Sequence, residues 1–425
     1  MIFSGLDIIL YSSYFLLLFL SIFWLLVLFS SKEDELRGTH DIKLETFPSF
    51  TAIVPAYNEE ESIEGTLLSL ANLDYPLEKK EIIVVNDGSK DSTQEIVEKF
   101  IATHPEHNIT LINQENAGKG HALNVALETA KGEFFACLDA DSFVSKEALH
   151  VMLPLFYTDE RVAAVCPLLK VKKPKNILQK VQWYEYIINM FYRSLNARID
   201  CVHVTPGPFS VYKTAVIRKI GGYDETTITE DLEIAIRMQK YHYRILQTFE
   251  TSVETVTPQN WKALFRQRVR WYKGSIDNAI VYRKLAFNKK YGDFGMLRMP
   301  TMVLSGMIAI VLSSTLIYES IKTLRQWFAS LHAVNFDIIT LIKNFSFDAN
   351  ILSLPFSKML IASTLFCISI LIMIYSFKNV REKITNYGRI WIAMFTYIFI
   401  YSIFMSSVWM YIVFMFVSKK KNFWT

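Results

Sequence analysis

From Ile8 to Phe29 the chain carries no charged residue and is rich in Leu, Phe and Ile. A helix of that length crosses the roughly 30 Å hydrocarbon layer of a bilayer. The run starts beside Asp7 rather than a basic cluster, and no small-residue cleavage pattern follows it, so it reads as an anchor and not a removed leader. Three further apolar stretches lie near the other end, at about 300–318, 351–377 and 390–417. Tyr and Trp flank several of their ends, as anchors at a membrane interface do. Everything between these two apolar ends has the composition of a water-soluble unit. Apolar residues make up 51% of the chain and mean hydropathy is +0.22, too high for a soluble enzyme and too low for a bundle made only of membrane helices.

The division expected is an N-terminal anchor over 1–31, a soluble domain over 48–280, a basic segment over 281–299 and a membrane region over 300–425. Lys378, Arg381, Lys383 and Arg389 fill the loop between the last two apolar stretches, which predicts a cytoplasmic loop. Four single crossings then put the soluble domain on the cytoplasmic side of a plasma membrane. They also put Lys419, Lys420 and Lys421 outside, against the same rule; either the last stretch re-enters or the 300–318 stretch does not fully cross. The segment around Arg283, Lys284, Lys289, Lys290 and Arg298 lies flat on the membrane surface or is a plain basic linker. The net charge of +4 is too mild to argue for nucleic acid, and the basic residues instead gather beside the apolar segments, where lipid headgroups sit. Cys137, Cys166, Cys201 and Cys367 are scattered without metal spacing and are expected to be reduced thiols. Of two glycosylation sequons, Asn108 precedes a strand of the soluble domain and Asn344 falls in an expected outside loop.

The soluble part alternates short β-branched runs with helical patterns. Strands are expected at about 50–55, 81–85, 109–112 and 133–138, with helices after each, including 121–130. Asp91 or Ser92 is the expected cap of the helix after the second strand. This alternation predicts an α/β fold with a mixed, mostly parallel sheet, in which ligands bind at the carboxyl ends of strands. The polar clusters of the sequence fall at those ends.

Asp139 and Asp141 follow the fourth strand. Two carboxylates one residue apart can face one hard cation such as Mg²⁺ or Mn²⁺, although the same pattern also caps helices. Asp87 ends the second strand, where a carboxylate can accept from a nucleobase N–H or simply close a turn. Lys119 lies in Gly118-Lys119-Gly120 at a helix start, where amide dipoles favour anions; the spacing is not that of a phosphate-binding ATPase loop. Thr229-Glu230-Asp231 precedes a helix expected over 232–241, as its cap or as a general base. Gln267, Arg270 and Trp271 share one helical face. Arg270 can pair with diphosphate oxygens and Trp271 can stack on a sugar face, or the helix is simply basic and amphipathic.

In this order, and together with Pro55-Ala56-Tyr57-Asn58-Glu59, these motifs resemble the membrane-embedded family-2 glycosyltransferases with a GT-A fold: cellulose, chitin, hyaluronan and poly-N-acetylglucosamine synthases. The likeness spans about 50–273 and the flanking membrane helices; length and layout look most like the poly-N-acetylglucosamine synthases. The resemblance implies that Pro55, Ala56, Tyr57 and Glu59 line the nucleotide pocket, that Asp87 reads the uracil of a UDP-sugar, and that Lys119 sits nearby. It implies Asp139 on the nucleotide and metal side and Asp141 as the Mg²⁺ or Mn²⁺ ligand. Asp231 would be the catalytic base with Glu230 in support. Gly207, in Thr205-Pro206-Gly207-Pro208, would let backbone approach the donor sugar, or mark a simple turn. Gln267 and Arg270 would contact the diphosphate and Trp271 the acceptor sugar.

The function so implied is inverting, processive transfer of a glucose-type or N-acetylglucosamine-type sugar from UDP to a growing β-linked polysaccharide. Membrane lipids and membrane accessory subunits are the other partners implied. A single transfer to a lipid acceptor and an inactive conduit or scaffold are the alternatives.

Overall fold

The computed structural model describes residues 5–30, 46–337, 339 and 356–418. Helix α1 (Gly5–Phe29) precedes an eight-stranded sheet, β1 Phe50–Ala56, β2 Lys80–Asp87, β3 Asn108–Gln114, β4 Phe134–Cys137, β5 Ser142–Val144, β6 Val162–Val171, β7 Ser210–Lys213 and β8 Arg244–Thr255. The order is β3-β2-β1-β4-β7-β6-β8-β5. Strands β3, β2, β1 and β4 are mutually parallel, β7 is antiparallel to both β4 and β6, and β6 runs parallel to β8. The four expected strands are all present, each shifted by no more than two residues. They form because runs such as Ile82-Ile83-Val84-Val85 are buried on both faces, the pattern of a strand covered by helices.

Helices α2 (Ile63–Ala71), α3 (Thr93–Thr103) and α4 (Lys119–Thr129) connect the parallel strands. Leu67 and Leu70 pack on one face of the sheet, and Ala122, Leu123 and Ala126 on the other. Ser92 stands at the start of α3 without a side-chain cap; it is Asp91 that accepts from the Thr93 amide. Beyond them lie α5 (Ile177–Arg198), α6 (Glu230–Lys240) and α7 (Trp261–Val281). Asn176 and Gln179 close α5 with a reciprocal capping box. Thr229 precedes α6 but makes no side-chain cap; its hydroxyl accepts from Asn278 of α7 instead.

The segment after α7 is not a free linker. Its Leu285 and Phe294 are buried against Leu232 and Ile236 of α6. Helix α8 (Met299–Ala333) extends well past the expected 318, and α9 covers Phe356–Val380. The last stretch is a short helix from Ile390, a π-turn over Thr396–Ile400 and α10 (Tyr401–Ser418). Among the described residues four helices are thus long and apolar enough to cross a membrane. Asn344 and Lys419 to Lys421 lie outside the described residues.

Two sets of contacts orient these helices. The basic loop after α9 docks on the sheet domain, through Lys170–Glu382 at 3.1 Å and Arg381–Glu250 at 2.9 Å. It therefore lies on the same side as the sheet, as the charge pattern requires if that side is cytoplasmic. Helix α10 runs along α7: Tyr401 meets Arg268 at one end and Phe416 lies under Lys273 at the other. Against α8 it is antiparallel, with Trp409 at Gly306 and Ser406 at Ser313. A Cβ on Gly306 would come within 2.4 Å of the Trp409 ring. The chain's last apolar stretch thus packs along α7 of the sheet domain and antiparallel to α8. Cys137, Cys166 and Cys201 are buried, and Cys367 is exposed on α9.

Candidate active site

The carboxyl ends of β2 and β4 and the starts of α4 and α6 come together through their side chains. Lys119, first residue of α4, sits at the centre of this group. Its ammonium is 2.6 Å from Asp139 and 2.7 Å from Glu230. Gly118 can supply the turn before it because its φ is +92°, which a side chain would resist. Gly207 closes the cluster from above. A Cβ there would stand 2.9 Å from both Asp139 carboxylate oxygens and from the Lys119 nitrogen. Only backbone fits.

The charge around Lys119 is unbalanced. Burial alone would lower its pKa, but Asp139, Glu230 and Asp231 outweigh that and hold it well above the usual value. Burial pushes Asp231 up to about 7, assisted by repulsion from Glu230 and opposed by Lys119. Asp141 is pushed up to about 6, first by burial and then by the charge of Asp139, with only the Ser142 hydroxyl as a donor at 3.0 Å. Glu59 is likewise raised, by burial first and by Asp139 among its neighbours, despite the Ser62 hydroxyl at 2.7 Å. Carboxylates with neutral-range pKa values in a cleft are typical of sites that move protons or hold cations.

Asp87 is buried and accepts three hydrogen bonds: from the Gln114 amide at 2.7 Å and from the Ala117 and Gly118 backbone N–H groups, both at 2.9 Å. Its charge fills the anion position that the turn into α4 offers. A base N–H reaching Asp87 would share oxygens already in use. Gln114, which sequence reasoning passed over, presents its other amide atom, Oε1, without a partner in the same place. Pro55 and Ala56 end β1 in register with Val85 and Asn86. Tyr57 is exposed. The loops after β1 and β2 are stitched together, with the Asn58 and Glu59 amides donating to Ser89 and Thr93.

Helix α7 packs on the Thr229–Asp231 turn. A Cβ on Gly274 would meet Thr229 at 2.5 Å. On that helix, Gln267 accepts from Arg268 at 2.6 Å, and the Arg268 guanidinium stacks 4.2 Å from the Trp271 ring. Arg268, not Arg270, is the sealed arginine. It pairs with Glu185 of α5, and its Nε donates to the Tyr401 hydroxyl at 3.1 Å. Arg270 is exposed and takes part in no ion pair among the described residues. Nothing in the local sequence flags this triad, since its members are spread over three distant helices.

Comparison with known proteins decides the family of the soluble part. Residues 51–221 match the model of Glycosyl transferase family 2. They form a family-2 glycosyl transferase domain. Over 263 residues the chain is 32% identical to the poly-beta-1,6-N-acetyl-D-glucosamine synthase of Staphylococcus aureus strain COL, covering 60% of this chain and 63% of that protein. It is 31% identical over 264 residues to the protein of the same name in Staphylococcus epidermidis. The alignment spans a little under two thirds of these relatives' length. Among solved structures, the mannosyltransferase PcManGT from Pyrobaculum calidifontis, in complex with GDP-Man and Mn²⁺, superposes with a TM-score of 0.56 at 20% identity. That match covers 91% of this chain and 98% of that one. The mixed, mostly parallel sheet of this membrane protein is a GT-A fold.

Proposed function

We propose that the chain is an inverting hexosyltransferase that moves an N-acetylglucosamine-type or glucose-type sugar from UDP to a growing β-linked polysaccharide at the plasma membrane, with its catalytic domain in the cytoplasm. The observation that carries the reading is Lys119 held between Asp139 and Glu230 beside Asp231, with Gly207 leaving room for no side chain above it. The names of the staphylococcal relatives, poly-beta-1,6-N-acetyl-D-glucosamine synthases, support the polysaccharide and the sugar.

Asp231 takes the proton of the acceptor hydroxyl as that oxygen attacks the sugar carbon bonded to the diphosphate. A base with a pKa near 7 is matched to that task at neutral pH. Glu230 engages Lys119 and by its own charge keeps Asp231 basic. Asp87 and Gln114 face the nucleobase; Pro55, Ala56, Tyr57 and Glu59 line its pocket. Gln267, Arg270 and Trp271 take the diphosphate and acceptor side, and Arg270 is open to solvent and free to swing onto an incoming phosphate.

The residues present fit a divalent cation. Asp141 is a buried carboxylate facing like charge with a single hydroxyl donor, the condition that a hard cation relieves. Asp141 and Asp139 would hold Mg²⁺ or Mn²⁺, which supplies positive charge for the departing diphosphate. No group of three or more protein ligands gathers among the described residues. That suits an ion whose other ligands are phosphate oxygens and water.

The test is transfer from labelled UDP-N-acetylglucosamine, UDP-glucose and UDP-galactose by the purified full chain with Mg²⁺ or Mn²⁺. A ladder of products is expected. One lipid-linked band would replace polymerisation by single transfer, and no metal-dependent turnover with any donor would remove the reading.

A further inference from the structure

Beside Asp231 three basic groups come together and form no ion pair among the described residues; of the three, Arg193 alone feels the charge of Asp231. Arg193 comes from α5, His203 from the segment before β7, and Arg298 from the residue preceding α8. The Arg298 guanidinium donates to His203 Nε2. That fixes the proton of the neutral imidazole on Nδ1, which has no partner; Arg298 Nε has none either. Arg193 reaches only the side-chain oxygen of Gln247, at a long 3.5 Å. Neither arginine joins an ion pair among the described residues. Each of the three residues keeps part of its surface open, while the unpartnered His203 Nδ1 and Arg298 Nε atoms are themselves buried.

A guanidinium does not shed its proton to escape burial, and an unpaired charge out of water is costly. His203 has yielded already: burial, then Arg298 and Arg193, hold it well below the ordinary imidazole value. The groups left over are all donors, and they come from three directions. What they lack is one anion with several acceptor oxygens.

Location narrows the source. Ile199 and Val204 flank this segment and pack with Cys201 on Leu232, Phe294, Met299 and Met302, at the foot of α8. The segment is also tied to the active site, since the Thr205 amide and hydroxyl both donate to the Asp231 carbonyl, at 3.2 and 3.0 Å. The cluster thus stands at the foot of a membrane-length helix, which is the level of lipid headgroup phosphates where that helix crosses a bilayer.

We propose that Arg193, His203 and Arg298 bind the phosphate of a membrane lipid beside the acceptor side of the cleft. The inference goes beyond the transfer reading, and its test reads binding and not turnover.

Full-length protein in an uncharged detergent is melted alone, with phosphatidylglycerol, with diacylglycerol, and with inorganic phosphate at equal phosphorus. Phosphatidylglycerol should raise Tm by on the order of a few degrees, and the other two should not. Arg193→Met and Arg298→Met should each abolish that rise. Their Tm without lipid should fall by no more than the loss of one hydrogen bond to a neutral group, because each removes a charge that has no ion-pair partner among the described residues. Lys290→Gln, on the exposed basic segment nearby, should keep the rise. An equal rise in both arginine variants would overturn the site. So would the absence of any rise in the parent, and an equal rise with inorganic phosphate would overturn the lipid source.

Discussion

Arg268 and Lys119 are each a cation ringed by other side chains, and their surroundings could hardly differ more. Arg268 is fully sealed and meets one carboxylate, one phenol and one indole face. Its charge and donors are matched within the protein, so the cluster pins α5, α7 and α10 together and asks nothing of a ligand. Lys119 is 35% exposed and stands among Glu59, Asp139, Asp141, Glu230 and Asp231. One ammonium does not balance them. Burial first, and the neighbouring negative charge after it, raise the pKa values of Asp141 and Asp231, a strain that an incoming cation, proton or substrate relieves. A closed ion pair is architecture; an unbalanced one at strand ends is a site in waiting.

The contrast breaks first at Asp231. Asp231→Asn should lower transfer by about 10²–10⁴-fold while UDP binding survives, as expected for a lost general base; an unchanged rate of sugar transfer would exclude it. Glu185→Gln should do the reverse, because it leaves Arg268 charged and unpaired. A stability loss of about 3–5 kcal/mol is expected, read as a lower melting temperature. A melt like the parent's would mean that the Arg268 cluster is not closed.

The next effect is on pH. With Asp231 as the proposed base, transfer should rise as pH climbs through about 7, where its carboxyl ionises. Stability should move the other way. A carboxyl whose folded pKa is raised binds more protons folded than unfolded, so stability falls with pH between the ordinary carboxylate value and about 7. Added Mg²⁺ or Mn²⁺ should flatten that fall by favouring ionised Asp141, and Asp141→Asn should remove the metal's effect on the melt. A melting profile flat in pH, with or without metal, would show that the strand-end charges are balanced after all.

Gly207→Ala sharpens the comparison with the smallest change. Its methyl group presses on Asp139 and Lys119 and should shift them by a fraction of an ångström. A loss of roughly ten- to a hundredfold in turnover is expected, with little change in melting temperature. Full activity would mean that the ion pair can be displaced without consequence.

Much of this was legible along the chain because it is local. Uncharged length sets a membrane helix, β-branched runs set buried strands, and Asp87, Asp139 and Asp231 each stand where a strand ends or a helix begins. Period and punctuation need no knowledge of distant residues. The sequence by itself determined the elements, the candidate acids and the basic loop that accompanies the sheet domain. Only the tertiary structure decided which charges meet: Lys119 with Glu230, Arg268 with Glu185 and Tyr401, Arg298 with His203. It also laid α10 back along α7. Pairings between residues some eighty or more positions apart are set by how helices pack on the sheet, and burial, not residue type, decides whether a charge there is matched or left wanting.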